Sequence, residues 1–182
     1  NMKNEINRVL DFWFEDCGAK DWFKKDTYFD NQVKCKFGDL VEDALLGYRN
    51  NWRRSLEGSL AVIILTDQFT RNIFRGTPRS FSGDPLALET CIHCLHKFDV
   101  SQQTKERSHF VLIPLMHSEN LTVQEMSLPL FREHTTDKVF QYALKHKNII
   151  ARFGRFPHRN AILGRKSTKS EIQFLKTPGS SF

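Results

Sequence analysis

No stretch of this chain approaches the roughly 20 consecutive apolar residues that a membrane-crossing helix requires. No charged and then apolar leader opens it, and Asn1 before Met2 reads as a residue left by cloning. The expectation is a cytoplasmic protein with no membrane partner. Cysteine is scarce as well: four in 182 residues do not make a disulfide framework, which agrees with a reducing compartment. The pair Cys91-Ile92-His93-Cys94 has no second cysteine pair to complete a zinc knuckle. Redox motifs of this spacing open a helix beside a strand, and this pair falls in mid-helix, so core thiols are expected. Strand-like alternation never persists, and Gly164-Arg165-Lys166-Ser167-Thr168 lacks the leading glycine and strand of a phosphate loop. No cofactor is expected.

What the chain does have is apolar volume at helical spacing. Sixteen Phe and three Trp supply much of it, and 182 residues suit one domain, 1–182, with a sizeable core. Ile6, Val9, Leu10, Trp13 and Phe14 mark a first amphipathic helix, and Asp26 to Leu46 a second, with Phe29 to Leu45 on its apolar face, that Gly47 ends in a left-handed turn. A third runs from Leu56 to Phe74 through Leu60–Leu65. Asp84 followed by Pro85 starts a fourth, to about Phe98, with Asp84 as its cap. The fifth begins near Ser101 and meets Pro114, where a kink or early stop is expected. Thr122 with Glu125 has capping-box spacing for the sixth, to about His134; a seventh spans Thr136 to Arg152; Thr168 with Glu171 caps the last. About eight helices joined by short turns give an all-α fold, a bundle or a stack of antiparallel helix pairs. No internal repeat is detectable.

The charge is lopsided. Overall there are 27 Lys and Arg against 21 Asp and Glu, a net charge of +6. Nine of the basic residues and one acidic residue lie between Lys145 and Lys176, leaving 18 against 20 elsewhere, a net of −2. The arginines of this segment stand beside Phe, Pro, Ile and Leu, which suggests partial burial rather than a solvated tail. Buried arginines need anionic or carbonyl partners, from the protein or from a ligand. Nucleic acid, the usual partner of a basic region, is the less favoured reading because the segment has no lysine-rich run.

Three polar clusters could carry chemistry. In the first, Asp67, Arg71 and Arg75 lie four residues apart on one helix face, with Gln68 and Asn72 beside them. A solvated Asp67–Arg71 salt bridge is one reading. A functional face is the other, since these residues extend a strongly apolar helix. The second cluster is His117, Ser118, Glu119 and Asn120, followed by Gln124. His117 and Glu119 could be a general base with its orienting carboxylate, or Ser118 and Asn120 could simply cap a helix beside a packed His117. Two ligands are too few for a metal unless His158 joins from afar, so no metal is expected. The third cluster is Arg152 to Arg165. Gly154 can end a helix and Pro157 can start a short one, placing His158, Arg159 and Asn160 in its first turn near Arg155 and Arg165. Such a helix start favours an anion; a salt-bridged clamp on the C-terminal segment is the alternative.

Trp13-Phe14, Trp22-Phe23, the run from Asp67 to Arg75, Phe81 with Asp84, Pro114 with His117-Ser118-Glu119 and Gln124, Phe153 to Asn160, and Leu163-Gly164-Arg165 with Ser167-Thr168 together resemble the DUF924 family. The similarity runs through Pro178–Phe182 and spans essentially the whole chain. It implies a single all-helical domain with TPR-like helix pairs, mostly bacterial, and supplies no catalytic role that can be carried to a residue here. One departure is Thr70, where family members often have proline. TPR-like pairs form concave faces that bind peptides. The expectation is therefore a binding domain whose groove gathers Asp67, Arg71, Arg75, His117, Glu119, His158, Arg159 and Arg165 around an anionic small molecule or peptide carboxylate, with Asn72, Gln124 and Asn160 orienting it. The alternative is an enzyme with His117 or His158 as general acid or base, Glu119 as orienter, and arginines stabilising negative charge.

Overall fold

Helix α1 (Met2–Asp11) buries Ile6, Val9 and Leu10 and runs on through a wider π-type turn, Phe12–Asp16, that turns Trp13 into the core. In this computed structural model, which describes residues 1–182, a short α2 (Ala19–Trp22) follows, then α3 (Thr27–Leu45), capped by the Asp26 carboxylate. Gly47 closes α3 at φ 84°, as its position in the sequence predicts. The third expected helix is a continuous rod in three parts: α4 (Leu56–Ile63), a π-type turn (Ile64–Phe69) and α5 (Thr70–Ile73). It is the central element, with every residue from Gly58 to Thr70 buried. Helices α6 (Asp84–Lys97), α7 (Lys105–Met116), α8 (Leu121–His134) and α9 (Asp137–Phe153) follow, then α10 (Asn160–Leu163) and α11 (Lys169–Leu175). There are no strands.

The rod packs against α1, α3, α6 and α7, while α7, α8 and α9 lie each against the next. One apolar core runs from Ile6 to Ala143, and a small satellite of Ile149, Ile150 and Phe156 sits beneath the C-terminal segment. Cys91 and Cys94 are both buried in the main core, where burial pushes the Cys94 thiol up to about 12.

Several local expectations need correction. Thr122 does not cap α8; Asn120 does, its carboxamide oxygen accepting from Val123 N, because the helix already begins at Leu121 and Thr122 lies within its first turn. Asp84 does not cap α6 either. It is the first residue of the helix, and its carboxylate is taken by Arg71 from another element. The fifth helix begins at Lys105, capped by Thr104, after a short turn at Val100–Gln102. Pro114 lies inside α7, which runs two residues beyond it to Met116. The Thr168 and Glu171 capping box forms as its spacing predicts.

Candidate functional site

The π-type turn does the first work at the site. A π turn widens the backbone by one residue and commonly marks functional positions. Here it turns Asp67 and Gln68 into the interior, so that Asp67 is completely buried. The hydroxyls of Thr66 and Thr70 donate back to the carbonyls of Val62 and Thr66 at 2.7 and 2.9 Å, satisfying acceptors in the stretched helix. The Asp67–Arg71 pair does form, but with Asp67 buried and not on a solvated face. Arg71 donates to the Asp67 carbonyl at 2.9 Å and makes a two-point pair with Asp84 at 2.7 and 3.0 Å; the Asp67 carboxylate lies 3.6 Å away.

Asp84 can reach Arg71 because of Gly83. A Cβ at position 83 would lie 2.0 Å from the carbonyl oxygen of Thr66, so only glycine lets the start of α6 approach the π turn this closely.

Across the site, α7 ends at His117. Gln124, buried in α8, donates to the carbonyls of Met116 and Ser118 at 2.7 and 2.8 Å and fixes this turn. Gln124 thus braces the turn through its Nε2, while its Oε1 is buried without a partner. The His117 ring presents Nδ1 to the Asp67 carboxylate at 2.8 Å. Its side chain is 15 % exposed, and Nε2 has no partner in the chain yet is not a buried orphan, so it reaches the surface. The orienting carboxylate is therefore Asp67, fifty residues away, and not Glu119. Glu119 is fully engaged elsewhere: both oxygens accept from Arg165 at 2.9 and 3.0 Å, and one also accepts from Phe156 N at 2.6 Å.

The electrostatics follow from these contacts. Burial works to raise the Asp67 carboxyl, but His117, Arg71 and the hydrogen bond from Gln68 outweigh it and hold the group well below the usual carboxylate range. His117 is lowered, first by burial and then by Arg71, which favours its neutral form. A neutral ring facing a carboxylate through Nδ1 carries its proton there, which leaves the lone pair on Nε2.

Arg159 completes the group. The turn Pro157–Arg159 delivers it, 6 % exposed, between the rings of Phe81 and Phe156, each about 4.6 to 4.7 Å from its guanidinium. Of its five N–H groups, one on Nη2 donates to the His117 carbonyl at 3.0 Å. Its Nε is buried with no partner, and the nearest carboxylate oxygen, on Asp84, is 3.8 Å from Nη1. Burial, and then Arg71, lower its pKa to about 10. His158 precedes it in the same turn, lowered to about 4 by burial and then by Arg159, with Nδ1 buried and unpartnered.

The remaining expected residues separate into structural pairs. Asn72 and Arg75 turn away to Asp30 of α3, at 2.9 and 2.7 Å. Arg155 pairs with Glu171 at 2.8 and 2.9 Å, and Asn160 donates to Ser167 while accepting from Arg165. For Arg155, Arg165 and Asn160 the clamp reading is the one the contacts bear out. The site thus gathers Asp67, Gln68, Arg71, His117, His158 and Arg159, and releases Asn72, Arg75, Glu119, Gln124, Arg155, Asn160 and Arg165.

Sequence reasoning missed Asp84, Phe81 and His146 as site residues. Burial lowers His146 to about 3, its ring lies 6.4 Å from that of His117, and it donates from Nδ1 to the Tyr142 carbonyl. Its position between Ala143 and Ile149 on the apolar face of α9 is a signal that could have identified it. Asp84 was hidden by its resemblance to a cap.

Comparison with curated proteins finds no match. Among solved structures, the chain is similar to a protein of unknown function from Agrobacterium tumefaciens, with 33% identity, a TM-score of 0.92, and coverage of 97% of this chain and 99% of that one. Residues 9–179 match DUF924, described as a bacterial protein of unknown function. The chain therefore belongs to the DUF924 family.

Proposed function

We propose that the cluster around Arg159 and His117 is a binding site for an anionic small molecule or a peptide carboxylate. One observation carries the reading: a buried guanidinium with a single acceptor and no carboxylate within hydrogen-bonding distance. Arg71, by contrast, has its charge met by Asp84, and Arg165 by Glu119. An anion reaching Arg159 would satisfy donors that folding leaves unused, and its charge would offset a cation lowered by burial and by Arg71. Neutral His117 offers Nε2 as an acceptor for a protonated ligand oxygen. The wider reading keeps a TPR-like helix-pair scaffold and a cytoplasmic setting, which four free thiols suit.

The test is thermal unfolding with inorganic phosphate against chloride at matched ionic strength. At ten times Kd, phosphate stabilises by about 1.4 kcal/mol, which raises Tm by about 3 to 6 °C for a chain of this size. Arg159→Met abolishes the shift and Arg159→Lys retains part of it. A wild-type Tm that ignores phosphate contradicts the proposal.

A second reading is favoured by the Asp67–His117 hydrogen bond. A carboxylate on Nδ1 and an accessible Nε2 are what a general base requires, with Arg159 placed to stabilise negative charge. Its first requirement is the Nδ1–H tautomer. Histidine 15N shifts at pH 7 report that tautomer directly, and a predominant Nε2–H form removes this reading.

A further inference from the structure

The Phe182 ring lies face to face on His146, centroids 3.7 Å apart at 22°, and edge-on to His158 at 5.7 Å and 79°. His146 beneath it is buried and meets Phe156 edge-on at 5.6 Å, and Phe156 in turn flanks the Arg159 guanidinium at 4.7 Å. The aromatic platform and the under-partnered cation are therefore contiguous. Two buried polar atoms without partners, Nδ1 of His158 and Nε of Arg159, lie in adjacent residues beside it. The piece of chain that covers the platform is lightly held. Phe182 is 42 % exposed and Thr177, Pro178, Gly179 and Ser181 are exposed; beyond Thr177, which donates to the Phe174 carbonyl, the segment is held by buried Ser180 through one hydrogen bond to the Leu175 carbonyl at 3.2 Å. Phe182 belongs to neither apolar cluster, so its ring can leave without opening a core.

We infer that His146 and His158 form an aromatic subsite next to Arg159, that the site selects anions carrying a planar ring, and that Phe182 occupies this subsite as an internal competitor. This rests on the anion-binding reading of Arg159. At neutral pH both imidazoles are uncharged, so the platform stacks a ring without attracting a second anion. The group on the anion is an aryl group of about the size of the Phe182 ring, because that ring already fits between the two histidines.

The experiment compares inorganic phosphate with phenyl phosphate on the wild-type protein and on Phe182→Ala, by isothermal titration. Removing the competitor raises the affinity for phenyl phosphate by about 3- to 10-fold, the range an aromatic pair is worth, and leaves that for inorganic phosphate unchanged. A surface position such as Phe182 is not expected to disturb folding, and circular dichroism checks it. If inorganic phosphate binds both proteins and the phenyl phosphate to phosphate ratio does not change, the subsite inference is overturned alone. If inorganic phosphate binds neither protein, the anion reading fails and the subsite falls with it.

Discussion

Three histidines are held neutral far below their ordinary value of 6.5, each primarily by burial: His146 at about 3 and His158 at about 4 beside the site, and His109 of α7, stacked on Phe110, at about 4. Acid should therefore unfold this protein early. A group depressed in the folded state contributes stability above its unfolded pKa, and that stability is lost as pH falls toward the folded one. The window here runs from about 6.5 down to about 4. In it the unfolded chain binds a proton at each site and the native chain does not, so stability falls by up to about 1.4 kcal/mol per pH unit per histidine. From pH 7.5 to 5 this comes to about 2 kcal/mol each, or about 6 kcal/mol together, against a total of ~5–15 kcal/mol for an ordinary domain. Glu171, held at about 2 chiefly by its hydrogen bond from Arg155, adds its own loss only below its ordinary value of 4.5. Urea unfolding at pH 7.5, 6.5, 5.5 and 5.0 reads the effect: with a slope of ~2 kcal/mol/M the midpoint falls by about 3 M. His146→Phe, which keeps a ring against Phe182, removes about one third of the dependence. A midpoint that stays constant from pH 6.5 to 5 would refute the claim that burial keeps these imidazoles neutral.

Two substitutions test the local geometry. Gly83→Ala forces a Cβ against backbone atoms of Thr66; it should cost about 1 to 3 kcal/mol by overpacking and, by displacing Asp84 from Arg71, weaken phosphate binding, read by denaturation and titration. Thr70→Pro should cost about 1 kcal/mol, the worth of the Thr70 hydroxyl bonds, instead of the ~3 kcal/mol of proline in an ordinary helix interior, because the π turn has already opened the ladder ahead of it. A loss near 3 kcal/mol or above would show that the ladder is intact there.

Most of the fold was legible because helical periodicity and end signals are local. The glycines after α3, α9 and α10 all adopt positive φ, and the Thr168 capping box forms at the expected spacing. Among the elements that escaped are α2, too short to show a period, and the two π turns, whose one-residue widening leaves no trace in an apolar run. The site was half legible. Residue types identified Asp67, Arg71, His117 and Arg159 as members, but pairing across fifty residues has no local signature, so proximity in sequence assigned Glu119 to His117. In the folded chain Glu119 faces Arg165 and Asp67 faces His117. The opening charge imbalance resolves in the same way: Arg155 and Arg165 meet internal carboxylates, and the anion reading narrows to Arg159.

The most direct measurement is a phosphate titration followed through the arginine Nε–H resonances at constant ionic strength. The account predicts that Arg159 moves, together with the His117 ring, while Arg155 and Arg165, already paired with Glu171 and Glu119, stay in place. An unmoved Arg159, or an equal drift of all three arginines, would contradict it.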